Sequence, residues 1–310
     1  MRRVLVPQAI DPAGMEVLRH PEVIILGPLS SPDELSAAMR EVDAVLIRLW
    51  PISGEAIRSA RRLKVIAKHG VGTDNIDLEA CRKRGVHVTI TETANRGTVS
   101  EYVLGALITV ARHWKAAEEA LKAGDYEGRI RYYGTEWAGK TIGVVGYGRI
   151  GRSLTPRLVH GLHAQVLVYD PYVPRDILMD HPQVQWADSL DALVKAADAV
   201  TLHTPLTPET YRMFDAARLA KMKPGAFLIN AARGPIVDPV ALVDALTSHH
   251  LGGAVLDVFD PEPPLADNPL WEAPNLLVTP HIAASTHEAV QRMGVEAAAS
   301  IMQHFHLREG

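Results

Sequence analysis

The chain has 310 residues, of which 47% are hydrophobic and 22% charged, and its 32 basic and 36 acidic side chains leave a net charge of −4. That length suits two hydrophobic cores better than one, and the charge balance carries no electrostatic footprint for nucleic acid. Cys81 is the only cysteine, which excludes an internal disulfide and a thiolate metal cluster, and no stretch approaches the ~20 apolar residues that span a bilayer.

The opening Met1-Arg-Arg-Val-Leu-Val-Pro7 has too short an apolar run for a signal peptide, so a cytoplasmic protein is expected. Apolar runs follow at 4–6, 23–26, 44–47, 65–67 and 86–90, separated by helical stretches. They are continuous rather than alternating, the pattern of parallel strands covered on both faces. The basic cluster at 58–64, with Arg61-Arg62, reads as a solvated helix face. Thr98-x-x-Glu101 reads as a capping box that opens one long helix reaching Gly124, with Val103, Leu107, Val110 and Trp114 at helical spacing.

The strand expected at 142–145 runs into Gly146-Tyr-Gly-Arg-Ile-Gly151. Gly146 permits a sharp turn, Gly148 lets backbone approach a pyrophosphate, and Gly151 allows a helix to pack tightly on the strand. The N–H groups at the start of that helix are free to meet phosphate. A second strand at 166–169 leads to Asp170, nineteen residues beyond Gly151, where a carboxylate takes the ribose hydroxyls and repels a 2′-phosphate. The unit therefore predicts a dinucleotide site with NAD favoured over NADP.

Further strands are expected at 199–202, 226–229, 254–258 and 276–279, and Ser285-x-x-Glu288 opens a last helix to about Phe305, placed to return to the first half. In an open parallel sheet, ligands bind beyond the carboxyl ends of the strands. Leu228-Ile-Asn-Ala-Ala-Arg-Gly234, Leu256-Asp-Val-Phe-Asp-Pro-Glu-Pro263 and Val278-Thr-Pro-His-Ile-Ala-Ala284 all begin at such ends, so Arg233, Glu262 and His281 are expected to converge on one nicotinamide. Taken singly, each has a plainer reading: Arg233 as a cap or surface ion pair, His281 as a loop histidine, Glu262 as a turn residue, Asp257 as the cap of a neighbouring turn. Their order along the chain favours the functional reading.

Gly146-Tyr-Gly-Arg-Ile-Gly151, His203-Thr-Pro-Leu-Thr207, Asn230-Ala-Ala-Arg-Gly234, Asp257-Val-Phe-Asp-Pro-Glu262 and Pro280-His281 together resemble the D-isomer-specific 2-hydroxyacid dehydrogenase family. Lys68-His-Gly-Val-Gly-Thr-Asp-Asn-Ile-Asp77 and Thr93-Ala-Asn95 extend the likeness over almost the whole chain. The resemblance implies an α/β protein of two doubly wound parallel-sheet domains: a Rossmann NAD-binding domain, residues 98–285, inserted in a flavodoxin-like substrate domain, residues 1–97 and 286–310. It implies a homodimer with residues 98–124 near the interface.

The resemblance also implies roles. Arg233 holds the substrate's carboxylate and carbonyl, and His281 with Glu262 is the acid/base pair. Asp257 meets the nicotinamide amide, and Arg149, Ile150, Thr204, Pro205, Ala231 and Ala283 match other cofactor positions. Arg48 and the backbone amides of Val71 and Gly72 fall at substrate positions, and no metal is implied. The chemistry agrees: hydride leaving C2 of a hydroxy acid requires a base for the hydroxyl proton, and histidine, with an ordinary pKa near ~6.5, takes and returns it near neutrality. Arginine offers a planar fork for a carboxylate.

Expected substrates are small D-2-hydroxy or 2-oxo acids: 3-phosphoglycerate, glycerate/hydroxypyruvate or glyoxylate. Two departures bear on this choice. Leu49-Trp50-Pro51 follows Arg48 where phosphoglycerate dehydrogenases carry small polar residues, and with the sequence ending at Gly310 the regulatory C-terminal domain that many of them have is not expected. An NADH-sensing corepressor-like binding protein is the rival of another class, because such relatives keep the Arg, Glu and His positions. Formate dehydrogenases are similar but place glutamine where Glu262 stands.

Overall fold

The computed structural model describes residues 1–307, which divide into two compact units: Met1–Asn95 joined by the C-terminal segment from Ala284, and Arg96–Ala283. The first contains β1 (Arg2–Leu5), β2 (Val23–Leu26), β3 (Ala44–Ile47), β4 (Val65–Lys68) and β5 (His87–Ile90). All pairings are parallel, in the order β2-β1-β3-β4-β5, a doubly wound flavodoxin-like arrangement. Alternate residues feed opposite faces. Val4, Leu46, Val65 and Ala67 pack with Ile301 and Met302 of helix His287–His304, whereas Leu5, Val45, Ile47 and Ile66 pack with Met39 and Ile57.

The last helix therefore does belong to the first unit, but its cap is Thr286, whose side chain accepts from the Ala289 N–H, and not Ser285. It crosses helix Pro12–Val17 where Gly14 meets Gly294; a Cβ on Gly14 would stand 2.7 Å from the Gly294 carbonyl carbon. The basic cluster is likewise not a helix face. The helix ends at Ser59, and Arg62 reaches back to Asp43, Nη2 to Oδ2 3.0 Å, fixing a carboxyl that also accepts from the Arg3 N–H.

The second unit is a seven-stranded parallel sheet of β6 (Thr141–Val145), β7 (Gln165–Tyr169), β8 (Val184–Trp186), β9 (Ala199–Leu202), β10 (Ala226–Asn230), β11 (Leu251–Leu256) and β12 (Leu276–Val278), in the order β12-β11-β10-β9-β6-β7-β8. The order reverses at β6, beside β9, which creates the crevice where doubly wound sheets bind nucleotides. Eleven of the strands lie where apolar runs predict them. The edge strand β8 has only three residues, Val-Gln-Trp, and no apolar run marks it in the sequence.

The long helix expected over 98–124 is two. The first, Arg96–Ala111, begins before Thr98, so Thr98 and Glu101 form no capping box and Thr98 is buried inside the helix. The chain breaks at His113, in the left-handed region at φ 50°, because the Ala111 carbonyl accepts from the Thr135 N–H at 2.9 Å instead of continuing the ladder. The second helix, Trp114–Lys122, buries none of its residues. Among the described residues no helix is long and apolar enough to cross a membrane.

Candidate active site

β6 delivers the glycine motif to the crevice. Gly146 turns the chain at φ +94°, and a Cβ there would stand 2.7 Å from the His203 carbonyl oxygen, so only glycine lets β6 pass β9 so closely. A Cβ on Gly151 would overlap the Gly146 carbonyl. Gly148 differs: it has open space around it and caps helix Arg149–Leu162 without a side-chain hydrogen bond. The first-turn N–H groups of a 14-residue helix, with Arg149 and Ile150 at its start, thus face space that an anion can enter.

Asp170 follows β7, and its carboxyl is fixed by three backbone donors, Tyr147 N–H at 2.8 Å, Tyr172 N–H at 2.9 Å and Val173 N–H at 3.2 Å. It edges a cavity of about 520 Å³ whose walls include Tyr172, Arg175, Trp186 and Asp188. Across the switch point, Thr204 holds a buried hydroxyl with no hydrogen-bond partner among the described residues, next to the exposed Pro205. A buried hydroxyl is costly unless something bonds it, and a dinucleotide's ribose and phosphate oxygens supply that partner. The glycine turn, the open helix end, the held carboxyl and the orphaned hydroxyl fit NAD.

β10, β11 and β12 are neighbours, and the three expected functional side chains leave from beyond their carboxyl ends. After β10, Asn230, 1% exposed, staples the turn through Ala231: its Oδ1 accepts from the Ala232 N–H at 3.0 Å and its Nδ2 donates to the Arg233 carbonyl at 2.8 Å. Arg233 donates from Nη1 to the Ala232 carbonyl. A Cβ on Gly234 would overlap the Phe259 backbone, so the turn carrying Arg233 lies directly against the one carrying Glu262.

Glu262 accepts from the Phe259 N–H at 2.9 Å through Oε1 and meets His281 Nδ1 at 2.9 Å through Oε2. Burial pushes the carboxyl up, but the hydrogen bonds from His281 and Phe259, with the charges of His281 and Arg233, outweigh it and hold Glu262 below its ordinary value. The hydrogen bond to Glu262 raises the His281 pKa against partial burial, and the Glu262 and Asp257 charges add to the rise. With Nδ1–H bound to Glu262, Nε2 is the free ring nitrogen of a half-exposed imidazole. His281 itself is left-handed, at φ 54°, an uncommon backbone for a non-glycine residue that neighbours must hold in place.

Asp257 is the neighbour that does so. It is fully buried; its Oδ1 accepts from Thr279 Oγ1 at 2.6 Å and the Ile282 N–H at 2.8 Å, and its Oδ2 from the Ala283 N–H at 2.7 Å. Expected as a nicotinamide contact, it also clamps the turn carrying His281, with the buried Ala283 as part of that clamp. Asn230, Thr279 and Tyr102, which bonds Thr279, are residues of this site that sequence reasoning does not single out. Among the described residues no group of three or more His, Cys, Asp and Glu side chains is placed to hold a metal ion.

Arg48, Val71 and Gly72 belong to the first unit, beyond the ends of β3 and β4. Arg48 donates from Nη1 to the Ala9 carbonyl at 2.7 Å, and its own carbonyl accepts from the buried Lys68. Gly70, at φ +132°, turns the chain into Val71-Gly72, with its N–H on Thr91 Oγ1 at 2.9 Å. Burial and the Arg48 charge lower the His69 pKa to about 4. Trp50 packs on the apolar core of this unit, and Gln8 Oε1 accepts from the N–H groups of Leu49 and Trp50.

Residues 104–283 match the family described as D-isomer specific 2-hydroxyacid dehydrogenase, NAD binding domain. D-3-phosphoglycerate dehydrogenase of Mycobacterium tuberculosis is 42% identical over 271 residues, 87% of this chain and 50% of that one; the chain spans about half the length of the phosphoglycerate dehydrogenases it matches. Glyoxylate reductase of Thermofilum pendens is 38% identical over 97% of this chain and 90% of its own. Among solved structures, the NAD-dependent formate dehydrogenase of Staphylococcus aureus in complex with NAD superimposes with a TM-score of 0.84 at 30% identity, over 100% of this chain and 97% of that one.

Proposed function

The chain belongs to the D-isomer-specific 2-hydroxyacid dehydrogenase family, and from that premise we propose that it transfers a hydride between nicotinamide and C2 of a small D-2-hydroxy acid, interconverting it with the 2-oxo acid. The observation that carries this reading is the 2.9 Å bond between His281 Nδ1 and Glu262, set beside Arg233 at the carboxyl ends of adjacent strands. NAD, when bound, supplies the hydride acceptor or donor.

Everything else falls to the chain. In oxidation, His281 Nε2 takes the proton of the C2 hydroxyl as the C2–H bond gives up its electron pair, and a C=O double bond forms. Glu262 stabilises the imidazolium and fixes the tautomer; in reduction the same nitrogen returns the proton to the carbonyl oxygen. The Arg233 guanidinium offers its fork to the carboxylate and polarises the neighbouring carbonyl.

Phosphoglycerate, glycerate/hydroxypyruvate and glyoxylate are the candidate substrates, the first and last because relatives carry those names. Glu262 speaks against formate, whose oxidation releases no hydroxyl proton. The corepressor-like reading finds no support among these relatives. NADH oxidation measured with a panel of 2-oxo acids tests the reading, and absence of turnover with all of them would refute it.

The position of Asp170 predicts that NADH is used in preference to NADPH. Asp170→Asn removes the charge and leaves one acceptor oxygen, enough for the Tyr172 and Val173 N–H groups that share Oδ1 but not also for the Tyr147 N–H on Oδ2, and should narrow the NADH-to-NADPH ratio of kcat/KM by roughly tenfold, the scale of one charge-assisted hydrogen bond. Stronger activity of the unaltered protein with NADPH would overturn that role.

We place the protein in the cytoplasm, a setting that suits its single buried thiol at Cys81, and as a homodimer. The helix Trp114–Lys122 and the segment after it leave Trp114, Leu121, Tyr126, Ile130 and Tyr133 all more than half exposed, a run of large apolar side chains of the kind a second copy covers. Sedimentation equilibrium should find a dimer, and Leu121→Glu should release monomers; an unaltered protein that sediments only as monomer contradicts this.

A further inference from the structure

Behind the acid/base pair lies a line of hydrogen bonds that the proposed hydride transfer does not by itself demand. Asp257 is an acceptor on all its bonds, so the single proton of the Thr279 hydroxyl is committed to Asp257 Oδ1 at 2.6 Å. The Thr279 oxygen is then an acceptor, and the donor is the Tyr102 hydroxyl, 2.5 Å away. Burial raises the Tyr102 pKa to about 12, so the phenol keeps its proton across the neutral range. The bonds therefore have one direction: Tyr102 to Thr279, Thr279 to Asp257, with Asp257 accepting in turn from the N–H groups of Ile282 and Ala283. Those two amides directly follow His281.

We propose that Tyr102, carried on helix Arg96–Ala111, is a positioning residue for His281: it orients Thr279, which orients the Asp257 carboxyl, which locks the turn that presents the imidazole. The inference rests on the hydride-transfer reading above. The left-handed His281 backbone, φ 54°, has no glycine to relieve it; its own N–H bonds the Thr279 carbonyl at 3.0 Å, and the two following N–H groups on Asp257 add the restraint from outside the turn. Loss of the first donor leaves Thr279 free to rotate its proton away from Asp257. The carboxyl then tilts, and the turn relaxes toward a commoner backbone that draws the ring from Glu262. Packing alone does not account for a hydroxyl here, since phenylalanine fills the same volume without the bond.

Tyr102→Phe tests this in the full-length protein with two readouts. Hydrogen exchange at the Ile282 and Ala283 amides should quicken about three- to tenfold, the scale of one net hydrogen bond, while the strands of the same sheet keep their protection. Turnover in 2-oxo acid reduction should fall by a similar three- to tenfold. Thr279→Val, which keeps the shape and removes the hydroxyl, should behave like or worse than Tyr102→Phe. Unchanged exchange at 282–283, exchange quickened equally throughout the sheet, or quickened exchange with unchanged kcat each overturns the proposal. If the unaltered protein reduces no 2-oxo acid, the reaction has been misassigned; the exchange measurement then still decides whether the bonds from Tyr102 hold the turn.

Discussion

His281→Ala should lower turnover with the best 2-oxo acid by about 10²–10⁴-fold, the range associated with a positioned acid/base group, while NADH still binds, because none of the glycine turn, Thr204 or Asp170 touches the ring. The expectation follows from the Nδ1 bond to Glu262: one nitrogen is occupied and oriented, leaving the other to exchange a proton with substrate. The pH dependence has a definite sign. Reduction needs the imidazolium, and the raised His281 pKa keeps that form populated to higher pH than an ordinary histidine would. The reduction rate should therefore be full at low pH and fall as pH rises through the His281 pKa. Oxidation needs the neutral ring and should show the opposite limb. Glu262→Gln removes the main cause of the rise, so the reduction limb should move to lower pH as well as drop in height. Steady-state rates across pH for the three proteins check this; a loss below threefold for His281→Ala rejects the residue as the acid/base.

What the sequence discloses and what it hides divide along the line between local and distant causes. β3 and β4 are wholly buried four-residue strands and stand out because the first is apolar throughout and the second over its first three residues, before Lys68. The glycine motif is legible from its spacing in one turn, although its glycines answer different demands: a Cβ on Gly151 would overlap the Gly146 carbonyl of the same turn, one on Gly146 would meet His203 of the neighbouring strand, and Gly148 leaves open space. β8 is hidden because an edge strand of three residues needs no apolar run. The break at His113 is hidden because its cause, the Thr135 N–H on the Ala111 carbonyl, comes from more than twenty residues away. The same holds in the site. Arg233, Glu262 and His281 sit in ordered motifs, but the groups that hold them are brought by the fold: Tyr102 reaches Thr279 across 177 positions of sequence, and no spacing rule connects them.

Gly234→Ala should cost about a hundredfold in kcat/KM for the 2-oxo acid, although it adds one methyl and removes no functional group. The backbone at Gly234 touches that of Phe259, where any Cβ would overlap the Phe259 carbonyl oxygen and carbon. Neither side yields easily. The Phe259 N–H is bonded to Glu262, the Phe259 ring packs edge-on against Trp271 with centroids 5.7 Å apart, and the Arg233 carbonyl is held by Asn230. To admit the methyl, the Arg233 turn and the Glu262 turn must separate by something on the order of 1 Å, a misplacement of reacting groups that is enough for about a 10²-fold loss. Overpacking of this kind also costs roughly 1–3 kcal/mol of stability, so thermal denaturation should shift while the folded form persists. The affinity for NADH, read by quenching of tryptophan fluorescence, should stay within about threefold, because the displaced turns lie beyond β10 and β11 and the glycine motif beyond β6. A kcat/KM within fivefold of the parent would mean that the two turns can part without disturbing the alignment of Arg233 with the His281–Glu262 pair, and that close approach at Gly234 is not what sets the geometry of the reaction.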